Sequence, residues 1–247
     1  MALTALAGES LFGEVFGTGP PTVLALHGWA RRAADFRPAL DGLNAVAPDL
    51  PGFGASAAPA SVEGASGYAR RLHPLLDTFT LPMLVVGHSF GGRVAVELAV
   101  QRPDAVGALV LVGVPLLRIR PPAPPSFRFR LLRAGNRIGI VSDQSMERVR
   151  QEAGSSDYVR TTGVMREVFV KVVNESYEPE LAQLAGPVHL LWGADDTEAP
   201  VSVAERAAAL LEQRGVATKL EVLTGVGHLV PTQAPGELRR VIDSYLT

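Results

Sequence analysis

Short apolar runs recur along this chain, and most have no regular polar alternation. They are Thr22 to Leu26, Ala45 to Pro48, Met83 to Gly87, Ala108 to Val114, Val188 to Trp192 and Lys219 to Leu223. Runs of this kind mark strands buried on both faces, whereas Leu11 to Phe16 alternates more and is expected as an antiparallel edge strand. Between the runs lie helical stretches at 67–79, 91–102, 201–213 and 235–245, the last two opening after or at a proline. In the second of these, Val94, Ala95, Leu98 and Ala99 form an apolar stripe. Strands alternating with helices predict an α/β domain with a mostly parallel central sheet and helices on both faces. No internal repeat interrupts the pattern.

One region breaks the rhythm. From Pro115 to Glu180 no strand-like run occurs, and the stretch opens with IRPPAPPSFRFRLLRAGNR. An insertion at a strand end in an α/β protein sits above the carboxyl edge of the sheet, where ligands bind, so 115–180 is read as a lid of short helices. Its arginines, Arg118, Arg120, Arg128, Arg130, Arg133 and Arg137, are read as long side chains covering amphipathic helices rather than as anchors for an acidic substrate. Its apolar residues Phe127, Phe129, Tyr158, Met165, Phe169 and Tyr177 are expected to furnish a substrate pocket.

Composition narrows the class. The 247 residues suit one α/β domain, and 47% hydrophobic with 19% charged residues is a globular balance. A net charge of −2 predicts no nucleic-acid partner. The longest apolar candidate, Ala108 to Leu117, is broken by Gly113 and Pro115 and falls short of the roughly 18 to 20 residues of a membrane span. No Lys or Arg precedes the short apolar stretch at the start, so a secretory leader is not expected and the cytoplasm is. With no cysteine, disulfides, thiol catalysis and thiolate metal sites are excluded, and neither a metal nor another cofactor is expected.

The chemistry centres on Gly87-His88-Ser89-Phe90-Gly91. A serine flanked by glycines two residues either side, between a strand and a helix, suits a sharp turn that lifts the hydroxyl clear of its backbone. The helix that follows offers free N–H groups to a developing oxyanion. A serine hydroxyl becomes a nucleophile only when a base takes its proton and a third group orients that base. Two loops that follow predicted strands supply candidates: Asp195 and Asp196 after VHLLWG, and His228 after KLEVL. His88, next to the serine, is a further candidate for the pocket wall, with a packing role as the alternative. Arg93, Glu97 and Gln101 share a helical face, which makes Arg93 a solvated partner of Glu97. Gly52-Phe53-Gly54-Ala55-Ser56-Ala57 formally matches a dinucleotide fingerprint, yet its neighbouring prolines fit a loop better than a helix.

Five motifs together carry a resemblance to the α/β-hydrolase fold, serine-nucleophile branch. They are Leu26-His27-Gly28-Trp29, Asp49-Leu50-Pro51-Gly52-Phe53-Gly54, the serine turn, the loop Gly193 to Pro200, and Gly227-His228. The resemblance implies a single domain over 1–247 with a helical lid inserted after the sixth strand. It implies the catalytic order Ser89, Asp196, His228, because the family's acid loop reads Gly-x-x-Asp-x-x-x-Pro and selects Asp196 over Asp195. It also implies that the backbone N–H groups of Trp29 and Phe90 form the oxyanion hole. His27 and Asp49 are then read as shaping the oxyanion loop and the Pro51-Gly52 turn. The activity expected is that of an esterase on a small acyl compound. Carbon–carbon hydrolysis or elimination by the same triad, and a receptor with little turnover, stand as alternatives.

Overall fold

Val23–Leu26, Ala45–Pro48 and Met83–His88 are buried at every residue, and each forms a strand in the middle of one eight-stranded sheet. The computed structural model describes residues 4–7, 11–118 and 156–246, with residues 132, 136, 141, 142 and 144 between the last two. The strands are β1 Thr4–Ala7, β2 Leu11–Phe16, β3 Val23–Leu26, β4 Ala45–Pro48, β5 Met83–His88, β6 Val106–Val112, β7 Val188–Gly193 and β8 Thr218–Leu223. They lie in the order β1-β2-β4-β3-β5-β6-β7-β8. β1 and β2 are antiparallel to their neighbours, and every other pairing is parallel.

Two-residue periodicity divides the buried side chains between two cores. Leu24, Leu26, Val85, Leu109 and Leu111 face one side, where they meet the helices Ala65–Leu76, Phe90–Gln101 and Val201–Gln213. Val23, Ala25, Val86, Val110 and Val112 face the other, against Leu40 and the helix Pro235–Asp243. Each fully buried Val or Leu contributes roughly 1.5–3 kcal/mol, and the sheet is covered on both faces, which is why its strands read as unbroken apolar runs.

The parallel strands β3, β5, β6, β7 and β8 all end at the same edge of the sheet. The segments that follow them carry the family motifs, so parallel topology alone gathers His27 to Trp29, Ser89, Asp196 and His228 there. Within the expected lid, the described residues form the helices Ser156–Arg160, Gly163–Val172 and Glu178–Leu181.

Candidate active site

β5 ends at His88 and the next helix begins at Phe90, so the chain reverses at Ser89 alone. Ser89 has φ +50° and ψ −114°, a conformation a residue with a side chain adopts only where its surroundings hold it. Those surroundings are backbone. A Cβ on Gly87 would run into Gly92, and one on Gly91 would run into the carbonyl of Leu26, so the helix start packs directly on β3 and β5. The Ser89 N–H donates to the Val112 carbonyl at 2.9 Å, while its own carbonyl accepts from Gly92 and Arg93 and opens the helix.

The loop after β3 lies against this turn. A Cβ on Gly28 would stand 3.2 Å from Ser89 Cβ, so Gly28 allows the approach. His27 fixes the loop from beneath: its Nε2 accepts the Leu50 N–H at 2.8 Å and its Nδ1 donates to the Gly28 carbonyl at 2.8 Å. Burial holds this imidazole below its ordinary pKa and so neutral, as those two bonds require. Asp49 accepts from the Ala33 and Ala55 N–H groups, which sets the turn at Pro51-Gly52. Among the described residues, the N–H groups of Trp29 and Phe90 have no protein acceptor.

His228 stands on the loop after β8, and its Nδ1 lies 2.8 Å from Asp196 Oδ2. Asp196 Oδ1 accepts the N–H groups of Glu198 and Ala199 at 2.9 and 2.8 Å, so the buried carboxylate closes its own loop while it holds the imidazole. Asp195 is exposed, and its backbone N–H donates to the Val226 carbonyl on the histidine loop at 2.9 Å. Trp192 secures the far end of the acid loop by donating Nε1–H to the Ala199 carbonyl at 2.7 Å. The other ring nitrogen of His228, Nε2, lies 3.4 Å from Glu198 Oε2. Ser89 and His228 border the same cavity but are not hydrogen-bonded to each other.

That cavity measures about 570 Å³, and Trp29, Phe90, Phe169 and Val172 form its apolar wall. Trp29 packs on Phe53, Phe90 and Phe169 with ring centroids 4.9 to 5.4 Å apart. Four residues expected at the wall lie elsewhere, two of them tyrosines: the Tyr158 ring lies 5.1 Å from the Arg166 guanidinium, and the buried Tyr177 donates its hydroxyl to Glu175 at 2.6 Å. His88 is buried beneath His228 and donates Nε2–H to its backbone carbonyl at 2.9 Å. Burial, with the neighbouring His228 ring, pushes the pKa of His88 down to about 3. Met165 packs over Gly52, where its sulfur accepts the Tyr68 hydroxyl. Phe127 and Phe129 fall outside the described residues, as do Arg120, Arg128, Arg130, Arg133 and Arg137.

Arg93 corrects a second expectation. It is only 7% exposed, and its guanidinium turns away from Glu97 to donate to the carbonyls of Pro115 and Val172, 5.7 Å from the centre of the Tyr177 ring. The signal in the sequence was present but outweighed: Arg93 sits one turn beyond the serine, beneath an insertion that folds back over that helix. Gly113, which the sequence marks only as a break in an apolar run, also belongs to the site. It follows β6 with φ +54°, and a Cβ there would stand 3.1 Å from Asp196 Oδ2 and 3.3 Å from His228 Nδ1. A glycine ending a strand that leads to the site is the signal that could have marked it.

The sequence profile of the alpha/beta hydrolase family matches residues 23–241. The chain belongs to that family. This alpha/beta hydrolase is 30% identical to the magnesium-chelatase 30 kDa subunit of Rhodobacter capsulatus, over 94% of this chain and 90% of that one. It is 24% identical to the 2-hydroxy-6-oxononadienedioate/2-hydroxy-6-oxononatrienedioate hydrolase of Paraburkholderia xenovorans, over 93% and 88% of the two chains. The crystal structure of a putative lipase from Acinetobacter baumannii superimposes with a TM-score of 0.72 at 18% identity, covering 99% of this chain and 90% of that one, which speaks for the fold. Among the described residues, no helix is long and apolar enough to cross a membrane, and no three His, Asp or Glu side chains gather as a metal site.

Proposed function

We propose that this alpha/beta hydrolase is a cofactor-independent serine hydrolase that cleaves an ester or similar small acyl compound through an acyl-enzyme on Ser89. One observation carries the reading: a serine held at positive φ opens onto a cavity shared with an imidazole whose far nitrogen is bound by a buried carboxylate. In this mechanism His228 Nε2 takes the Ser89 proton as Oγ attacks the carbonyl carbon. Asp196 fixes the tautomer with the proton on Nδ1 and stabilises the imidazolium. The N–H groups of Trp29 and Phe90 receive the oxyanion, and each such donor is worth roughly 10²–10³ in rate. His228 hands its proton to the leaving atom, and water then releases the acid. The Ser89–His228 bond closes when substrate binds, as is common for catalytic hydrogen bonds that are open in free enzymes.

A fluorophosphonate probe tests this directly, because covalent capture needs an activated serine. The folded protein labels and hydrolyses nitrophenyl esters, whereas Ser89→Ala does neither and unfolds at an unchanged temperature. A folded protein that fails to label favours a small-molecule receptor instead. The similarity to the Paraburkholderia hydrolase supports a second reading, hydrolysis of a carbon–carbon bond in a vinylogous diketone by the same three residues. Turnover of such a diketone in preference to every ester of the series would select it.

A further inference from the structure

The acid loop brings two carboxylates to one imidazole, and only one of them has a part in the mechanism. Asp196 meets Nδ1 from the buried side, and Glu198 Oε2 stands 3.4 Å from Nε2 on the cavity side. The Glu198 backbone is fixed, since its N–H donates to Asp196 Oδ1 at 2.9 Å. Its side chain therefore extends from the triad acid itself, around the rim of the ring, to the nitrogen that faces substrate.

Nε2 is also the atom beside which the leaving group departs. When Ser89 Oγ bonds to the acyl carbon, the bond from that carbon to the leaving oxygen breaks, and the proton taken from Oγ passes from Nε2 to that oxygen. A carboxylate this close to Nε2 lies within a few bond lengths of whatever the leaving oxygen carries. The other described charges of the wall offset it only in part. Among the described residues bordering the cavity, the cations Arg93 and Arg118 have their donors taken by the carbonyls of Pro115 and Val172 and by Asn174 Oδ1, and they are outnumbered by the acidic Asp157, Glu175 and Glu198.

We propose that Glu198 selects the charge of the leaving group, so that the preferred substrate joins its acyl part to a cationic alcohol such as a quaternary or protonated amino alcohol. The inference rests on the serine-hydrolase reading and adds the substrate class on the leaving side. A cation two or three bonds beyond the leaving oxygen would sit near Oε2 in a partly hydrated site, where attraction is worth about three- to tenfold in rate and is screened by salt.

The test compares two esters of whichever acyl group the nitrophenyl series shows is hydrolysed best. One is the choline ester and the other its uncharged carbon isostere, the 3,3-dimethylbutyl ester. The protein is expected to favour the choline ester about three- to tenfold in kcat/KM at low ionic strength. Glu198→Gln brings the ratio to unity, Glu198→Lys reverses it, and added salt lowers it only in the unaltered protein. Because each ratio is taken within one protein, a general loss of activity does not mimic the effect. A ratio at or below one in the unaltered protein, or one that survives Glu198→Gln, overturns the proposal while the hydrolase reading stands. If neither ester is cleaved and the fluorophosphonate fails to label, both fall together.

Discussion

At the residue scale, the candidate site depends on backbone that lacks side chains as much as on the side chains it presents. Gly87 and Gly91 let two elements touch at Ser89, Gly28 brings the neighbouring loop alongside, and Gly113 leaves room for the Asp196–His228 pair. Gly113→Ala should place a methyl against both partners of that hydrogen bond, on a backbone whose φ of +54° already disfavours any side chain. The expected result is a fall of about 10–100-fold in kcat with KM little changed, since displacements near 1 Å at a reacting centre have that effect. Steady-state kinetics on a nitrophenyl ester checks it, and an unaltered kcat would show that the pair tolerates the intrusion. Ser89 and His228 could be named from the sequence because each stands in a short motif that ends a strand, whereas Asp196 was separated from Asp195 only by the resemblance to the family's acid loop. Glu198 could not be assigned a contact, since its reach to Nε2 depends on how the acid loop curls over Asp196.

At the element scale, segments were legible wherever local pattern and packing agree. β4 and the helix Val201–Gln213 match their predicted bounds, and the serine helix runs Phe90–Gln101 against an expected 91–102. The helix predicted over 67–79 runs Ala65–Leu76 instead. It starts earlier because the Ala65 N–H finds a partner in Glu175, 110 residues away, which no local pattern shows. β1 was missed for a related reason: four weakly patterned residues become a strand only because β2 lies beside them. Arg93 is the strongest case. Helical spacing paired it with Glu97, yet Pro115 and Val172 fold over the helix and take its donors. Arg93→Met should keep the volume but strip both carbonyls of their partner, lowering unfolding free energy by about 2–4 kcal/mol in denaturant titration. A change below about 0.5 kcal/mol would mean that water replaces the guanidinium at no cost.

At the scale of the whole molecule, the fold buries neutral histidines, and that ties stability to pH. Burial lowers the pKa of His27, His88 and His189 from 6.5, in His88 to about 3. The unfolded chain therefore binds protons that the folded one refuses, and stability falls as pH drops below 6.5, for His88 down to about 3, by up to about 1.4 kcal/mol per pH unit for each histidine still neutral in the fold. The thermal midpoint should decline on acidification from pH 7.5 to 4.5, and His88→Gln should flatten the decline; parallel curves for the two proteins would remove His88 from the account. The sequence by itself determined the fold class and offered Ser89, His228 and the Asp195–Asp196 pair, among which the family resemblance chose Asp196, because a sheet covered on both faces imposes apolar runs, and parallel strands must release their loops at one edge. Tertiary structure alone decided that Arg93 is buried, that His88 lies beneath the site and that Glu198 faces Nε2. Those outcomes depend on contacts between residues distant along the chain, which hydrophobic periodicity does not encode.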